Sequence, residues 1–281
     1  METLIPKKVH FIFGLAPDFG GKPFSFIHFI AIRSFLHHNP DFNAFLYYAY
    51  EPEGVYWEAA QPLLHLVRCD APTEVFGNPL CHFAHQADVM RLDILIDQGG
   101  IYLDLDTLTA RSFADLLHHE TVLGQECLDG QVMGVCNAVM AARAQAPFLK
   151  LWRDSYRSFR SRGHDAFWNE HSVQVPAALM VQYQGMATVL AFDAFFDPPY
   201  SEPSLSNFFF GDTRYPKAYC HHLWESITWH LLSRINESNL GRFGSSAFAQ
   251  LAGDCMTEAD RSLIQTVHQR QLDNFGPDQS V

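Results

Sequence analysis

Residues 7–108 alternate between short apolar runs and longer segments of helical length, and this alternation limits the possible folds more than any other feature of the chain. "KKVHFIFGL" (7–15) reads as a buried strand that ends at Gly14, ahead of a loop carrying Pro17, Gly20, Gly21 and Pro23. "FSFIHFIAIRSFLHH" (24–38) has helical length and stops short of Pro40. "FNAFLYYAY" (42–50) is aromatic and strand-like, "VYWEAAQPLLHL" (55–66) a short helix and "HLVRCD" (65–70) a short strand. "HFAHQADVMRLDILIDQGG" (82–100) is a helix closed by Gly99 and Gly100, and "IYLDLDTL" (101–108) follows at once as a strand. Strands alternating with helices predict an α/β sheet.

The second half is less regular. "TVLGQE" (121–126) and "GVCNAVMAA" (134–142) read as strands, and "PFLKLWRDSYRSF" (147–159) as a helix. The aromatic and proline-rich stretch 195–210 reads as loop, with closing helices over 246–253 and 258–273. No repeat, low-complexity tract or linker interrupts the chain, which predicts one domain over 1–281, with 1–110 and 111–281 as its two halves.

Hydrophobic residues make up 48% of the 281, including 24 Phe, enough for a sizeable core. A net charge of −12 argues against nucleic acid or an anionic membrane as a whole-protein partner, although Arg153, Arg157, Arg160 and Arg162 lie close together. None of the six cysteines forms a C-x-x-C pair, so a cysteine-based zinc site is not expected. "METLIPKK" is not followed by a signal-peptide apolar segment, and the longest apolar stretch (24–32) is far short of a membrane span. These features predict a cytoplasmic protein with free thiols, at most peripheral to the inner face of a membrane.

Within the strand 101–108, Ile101, Leu103 and Leu105 would share one apolar face, and Tyr102, Asp104 and Asp106 the other. At that spacing the carboxylates lie about 7 Å apart. Like charges so close destabilise each other unless a cation joins them, and a divalent metal with oxygen ligands does so. In open α/β sheets ligands sit beyond the carboxyl ends of the strands, where this pair falls. Read alone, the D-x-D triplet is equally compatible with a solvated edge strand.

The longer series "HQADVMRLDILIDQGGIYLDLDTL" (85–108) resembles the sugar-binding region with a DXD motif found in a superfamily of retaining glycosyltransferases, among them yeast-type mannosyltransferases, α-1,4-galactosyltransferase-like enzymes and glucosylating toxins. Asp88, Arg91, Tyr102, Asp104 and Asp106 fit its pattern without a gap, and "IPKKVHFIFG" (5–14) matches its opening strand. The resemblance implies a GT-A fold, with a Rossmann-like mixed sheet flanked by helices, and a nucleotide-sugar donor. By that resemblance Phe13 would stack on the donor base. Asp88 and Arg91 would hold sugar and ribose hydroxyls, and Tyr102 would line the donor site. Asp104 and Asp106 would hold Mn²⁺ or Mg²⁺ against the diphosphate. Read from the residues alone, Asp88 and Arg91 are equally an ion pair on a helix surface.

The family's late H-x-W segment aligns with His222-Leu223-Trp224 in "YCHHLWESITW" (219–229), making His222 the expected third metal ligand and His221 its rival. Trp224 (or Trp229) and Ser226 are expected to reach the phosphates, and Asn137 to face the donor sugar, with a hydrogen-bonded bulge or turn residue as its alternative. Trp168 and His171 are candidates for acceptor contacts, with core packing as the alternative. The function implied is metal-dependent transfer of a hexose or N-acetylhexosamine, from a UDP-sugar, to a glycan or glycolipid such as a polysaccharide, with retention; no catalytic base or nucleophile is apparent. Two rivals remain. A haloacid-dehalogenase-like phosphatase would use Asp104 and Asp106, but its D-x-D-x-T pattern meets Leu108 instead of Thr. A non-catalytic nucleotide-sugar-binding protein on the same fold is the other.

Overall fold

The structure is a computed structural model that describes residues 2–128 and 130–275. The first half runs β1 (Lys8–Ile12), α1 (Phe26–His38), β2 (Asn43–Tyr48), α2 (Val55–Ala60), β3 (His65–Arg68), a small hairpin β4 (Glu74–Val75) and β5 (Asn78–Pro79), α3 (Phe83–Gln98), β6 (Gly100–Leu103) and β7 (Thr107–Thr109). The second runs β8 (Thr121–Leu128), β9 (Gln131–Ala142), α4 (Pro147–Ser155), α5 (Val175–Gln182), β10 (Thr188–Leu190), α6 (Glu202–Phe210), β11 (Cys220–His222), α7 (Glu225–Leu232), α8 (Ala247–Cys255) and α9 (Glu258–Phe275). None of the described helices is long and apolar enough to cross a membrane.

Seven strands form the central sheet in the order β10-β8-β9-β6-β1-β2-β3. β6, β1, β2 and β3 run parallel, while β9 lies antiparallel between β6 and β8, so the sheet is mixed and draws strands from both halves of the chain. The chain leaves β1 toward β2 and β3 on one side and returns to β6 on the other. This reversal opens a crevice at the carboxyl ends of β1 and β6, where α/β sheets bind ligands. Ile101 and Leu103 of β6 pack with Val9, Phe11 and the wholly buried Phe29 of α1 in one core. Tyr102 faces the other core, with Leu92, Met140 and Trp152. Covered on both faces, these strands read in sequence as continuous apolar runs.

Gly99 and Gly100 make the direct step from α3 into β6. Gly99 ends the helix at φ +63°, its N–H donating to Leu95 O at 2.9 Å. Gly100 sits at φ +115° against β1, where a Cβ would fall 2.7 Å from Lys8 O and 2.8 Å from His10 Nε2. No side chain fits there.

Three expectations need correction. The segment 101–108 is not one strand: β6 ends at Leu103, residues 104–106 turn, and β7 begins at Thr107 in a second sheet with β11. A hydrogen bond from Thr107 N–H to Asp104 O at 3.1 Å closes that turn. The expected loop 195–210 contains α6, started by the Ser201 cap with a proline in its first turn, which is a helix start signal rather than a breaker. The expected helix 147–159 ends at Ser155 and tightens into a 3₁₀ turn over Tyr156–Ser158.

Candidate active site

The turn after β6 puts the D-x-D pair at the mouth of the crevice. Asp104 N–H donates to Ala138 O of β9 at 2.9 Å, which fixes where the turn leaves the sheet. β7 then pairs antiparallel with β11 in the register Thr107↔His222, Leu108↔His221 and Thr109↔Cys220. That register brings His222 alongside Asp106, with Nε2 3.1 Å from Asp106 Oδ1. Asp104, Asp106 and His222 each offer a ligand atom, and these atoms lie within 4.8 Å of one another. His221, its side chain on the opposite face, is buried and bonded through Nδ1 to Asp197 O, packed on Phe208 and Tyr215. Of the two tandem histidines, only His222 joins the aspartates.

The charges in this cluster are unequal. Burial alone would raise Asp106, but the His222 imidazole and the Glu225 N–H, 2.7 Å from Oδ2, bring its carboxyl down to about 2. Burial would lower His222; the Asp106 carboxylate outweighs it and raises the imidazole above its usual value. Asp104 is raised, because burial and the charge of Asp106 outweigh the pull of Arg91. The pair of carboxylates thus favours a positive charge beside it, which is why Asp106 raises His222. Two carboxylates and one imidazole form a donor set suited to a hard or borderline divalent ion, so these residues fit Mn²⁺ or Mg²⁺.

Beside the cluster, Arg91 is the hub of the floor. It is 4% exposed, lies 4.4 Å over the Tyr102 ring, and reaches Asp104 Oδ1 at 3.2 Å and Asp88 Oδ1 at 3.5 Å. It also donates to Asn137 O at 2.9 Å and Oδ1 at 3.2 Å. Asn137 in turn donates to Asp88 Oδ1 at 2.7 Å, and the Tyr102 hydroxyl donates to Asp104 Oδ1 at 2.6 Å. Asp88 and Arg91 are therefore a buried ion pair bridged by Asn137 and not the solvated helix-surface pair that their spacing alone allows. Asp88, Arg91, Asp104 and Asn137 line one cleft of about 170 Å³.

The other expected residues divide. Phe13 follows β1, half-buried against Phe19, Phe24 and His28 at the same carboxyl edge of the sheet. Ser226 is exposed in the first turn of α7. Trp224 is buried behind His222, its ring centroid 4.2 Å away, and its indole N–H donates to Pro198 O at 3.0 Å, so the fold already uses that donor. Trp168 lines the cleft, whereas His171 is buried and tied to Ser155 O at 3.2 Å as core packing. Residues that the sequence did not point to brace Asp106 from behind. Glu225 bonds it through the backbone and is itself held by Lys22 at 3.0 Å and His28 at 3.0 Å. The one sequence signal was His28, a histidine set inside the apolar run that opens α1.

Residues 31–123 match the model of a family described as glycosyltransferase sugar-binding region containing DXD motif. A protein of Cryptococcus neoformans var. grubii named Glucan organizing enzyme 1 is 32% identical over 251 residues, covering 84% of this chain and 67% of that protein. The chain belongs to this glycosyltransferase family. The apo form of the glycosyltransferase GlyE of Streptococcus pneumoniae superposes with a TM-score of 0.50 at 13% identity, covering 94% of this chain and 64% of that one. The glycosyltransferase thus has the GT-A architecture expected from its first hundred residues. A galactosyltransferase, LgtC, solved with donor and acceptor sugar analogues, aligns at a TM-score of 0.45 and 15% identity, covering 91% of this chain and 99% of that one. The phosphatase reading of the D-x-D pair falls with the family assignment.

Proposed function

We propose that this glycosyltransferase moves a hexose or N-acetylhexosamine from a UDP-sugar to a glycan or glycolipid, with retention, and depends on Mn²⁺ or Mg²⁺. One observation carries the reading: three ligand atoms within 4.8 Å of one another, at the rim of a cleft whose floor is Asp88, Arg91 and Asn137. Asp104, Asp106 and His222 would hold the ion. When bound, it would stabilise the negative charge that grows on the β-phosphate as the anomeric bond breaks.

The chain's own groups do the rest. Phe13 offers a π face to the base. Asp88 and Asn137 offer an acceptor and a donor to ring hydroxyls. Arg91, its charge kept by Asp88 and Asp104, fixes the electrostatics of the floor without moving. Tyr102 holds Asp104 in one orientation through its hydroxyl. Ser226, exposed in the first turn of α7, would meet a phosphate, and Trp224 forms the wall behind His222. The name of the Cryptococcus relative supports a polysaccharide as acceptor.

A thermal-shift panel of nucleotide sugars with and without Mn²⁺ tests the reading. A ligand at a hundred times its Kd stabilises the native state by about 2.7 kcal/mol. At least one UDP-sugar should raise Tm, and only with the metal present. A flat panel, or binding indifferent to metal, would contradict it. Donor hydrolysis with Mn²⁺ separates an enzyme from a protein that only binds.

A further inference from the structure

His85 has a ring nitrogen that the fold leaves unused. The residue is 1% exposed and lies three positions before Asp88 on α3, so both side chains share one face of that helix and both line the cleft. Its Nε2 is 3.2 Å from the backbone oxygen of Trp168. A carbonyl only accepts, so Nε2 carries the proton. With its proton on Nε2 the ring presents Nδ1 as a bare acceptor, and Nδ1 is buried with no hydrogen-bond partner among the described residues. The packing does not use Nδ1: the ring contacts with Phe159 and Trp168 and the bond from Nε2 hold His85 without it. Buried acceptors are rarely left unpaired, and each such case calls for an explanation.

The cleft supplies one. Its volume of about 170 Å³ is below the roughly 300–1,000 Å³ typical of a drug-sized site. It has room for a single ring and not for a whole nucleotide sugar. Arg91 meets Asp104 at the end next to the aspartate–histidine cluster, and His85 lies six positions earlier on α3, about 9 Å along the helix axis, which sets it and Trp168 toward the other end. We propose that His85 is a specificity-determining residue for the transferred sugar. Its Nδ1 accepts a hydrogen bond from a hydroxyl or acetamido N–H on the part of the ring remote from the diphosphate. Only a donor fits: a carboxylate or phosphate oxygen would meet lone pair with lone pair. The assignment rests on the nucleotide-sugar reading above.

Two substitutions separate the two nitrogens. In His85→Asn the side-chain oxygen falls near the former Nδ1, so the acceptor is kept and the bond to Trp168 is lost. In His85→Gln the longer amide reaches the Nε2 position, so that bond is kept and the acceptor is lost. Calorimetric Kd values are to be measured with Mn²⁺ for UDP, GDP, UDP-glucose, UDP-galactose, UDP-N-acetylglucosamine and GDP-mannose. For the best-bound sugar nucleotide, His85→Gln should weaken binding about tenfold or more and flatten the preference among sugars. His85→Asn should stay near the wild type, and the bare nucleoside diphosphate should bind all three proteins alike. Wild-type affinity in His85→Gln with loss in His85→Asn would overturn the proposal, because His85 would then act only by holding Trp168. Equal loss of bare diphosphate binding in both variants would also overturn it. If the wild type binds none of the six ligands, the nucleotide-sugar reading itself has failed, and this assignment falls with it.

Discussion

Thr107 and His222 are register partners across β7 and β11, 115 positions apart in the numbering, and their pairing is what delivers an imidazole to Asp106. One residue of slip in that ladder would replace His222 by His221, whose ring is committed to Asp197 O and the aromatic cluster behind it. The candidate metal centre therefore depends on a three-residue ladder as much as on the identity of its ligands.

Asp106→Asn should abolish metal-dependent nucleotide binding and lower activity on the order of 10²–10³-fold. The fold should survive, because one of two close carboxylates no longer carries charge and the pull that raises His222 goes with it. Calorimetry with UDP and Mn²⁺, alongside a melting curve, checks both halves. Full activity in this variant would contradict the assignment of the site.

Arg91→Met should cost about 3–5 kcal/mol, since it leaves Asp88 and Asp104 without their buried partner. Arg91→Lys should recover only part of this. An ammonium cannot reproduce the planar set of donors that reaches Asp104, Asp88, Asn137 and Ala87. Urea denaturation of the three proteins is the measurement, and equal midpoints would count against Arg91 as the hub.

Gly100→Ala should destabilise by about 3 kcal/mol, through strain at φ +115° and contact with the β1 backbone. In the folded fraction Mn²⁺-dependent binding should persist, because Gly100 touches none of the three ligands. A neutral change in denaturant midpoint would show that the α3–β6 step can relax.

Acid should weaken the fold through two buried imidazoles away from the metal cluster's own atoms. His10 and His221 are both held near 4 by burial, against an ordinary value of 6.5. His10 is fixed as a neutral ring between Gly99 O and the Tyr47 hydroxyl. Between pH 6.5 and 4 the unfolded chain takes up protons that the folded chain refuses, so stability falls as pH falls. The loss approaches about 3 kcal/mol for each group once both states are protonated. His222, raised by Asp106, acts in the opposite sense and offsets part of it. Unfolding free energy measured from about pH 7 to about pH 4.5 should decline; a flat profile would contradict the burial of these rings.

Much of the first half was legible because buried parallel strands and fully covered helices leave apolar runs of different lengths, which β1, β2, β6, α1 and α3 show, whereas the β4–β5 hairpin has no such run and was not read. The break at Asp104 was not, because Leu103 and Leu105 keep the alternation of a strand while the chain passes from one sheet to another. The Ser201 cap and Pro203 signalled α6, but the surrounding prolines made the same residues read as loop. Asp88, Arg91, Tyr102 and the two aspartates were legible as an ordered series. The Lys22–Glu225–His28 brace was not, because its contacts join residues about 200 positions apart. His85 carried no signal either: only the placement of Trp168 O reveals which nitrogen is left over.

The most direct test is an anomalous difference map from crystals grown with Mn²⁺ and UDP. The account predicts a manganese peak bounded by Asp104, Asp106 and His222, with the diphosphate on its open side and the uracil toward Phe13. A peak elsewhere, or a nucleotide bound away from all three side chains, would contradict it.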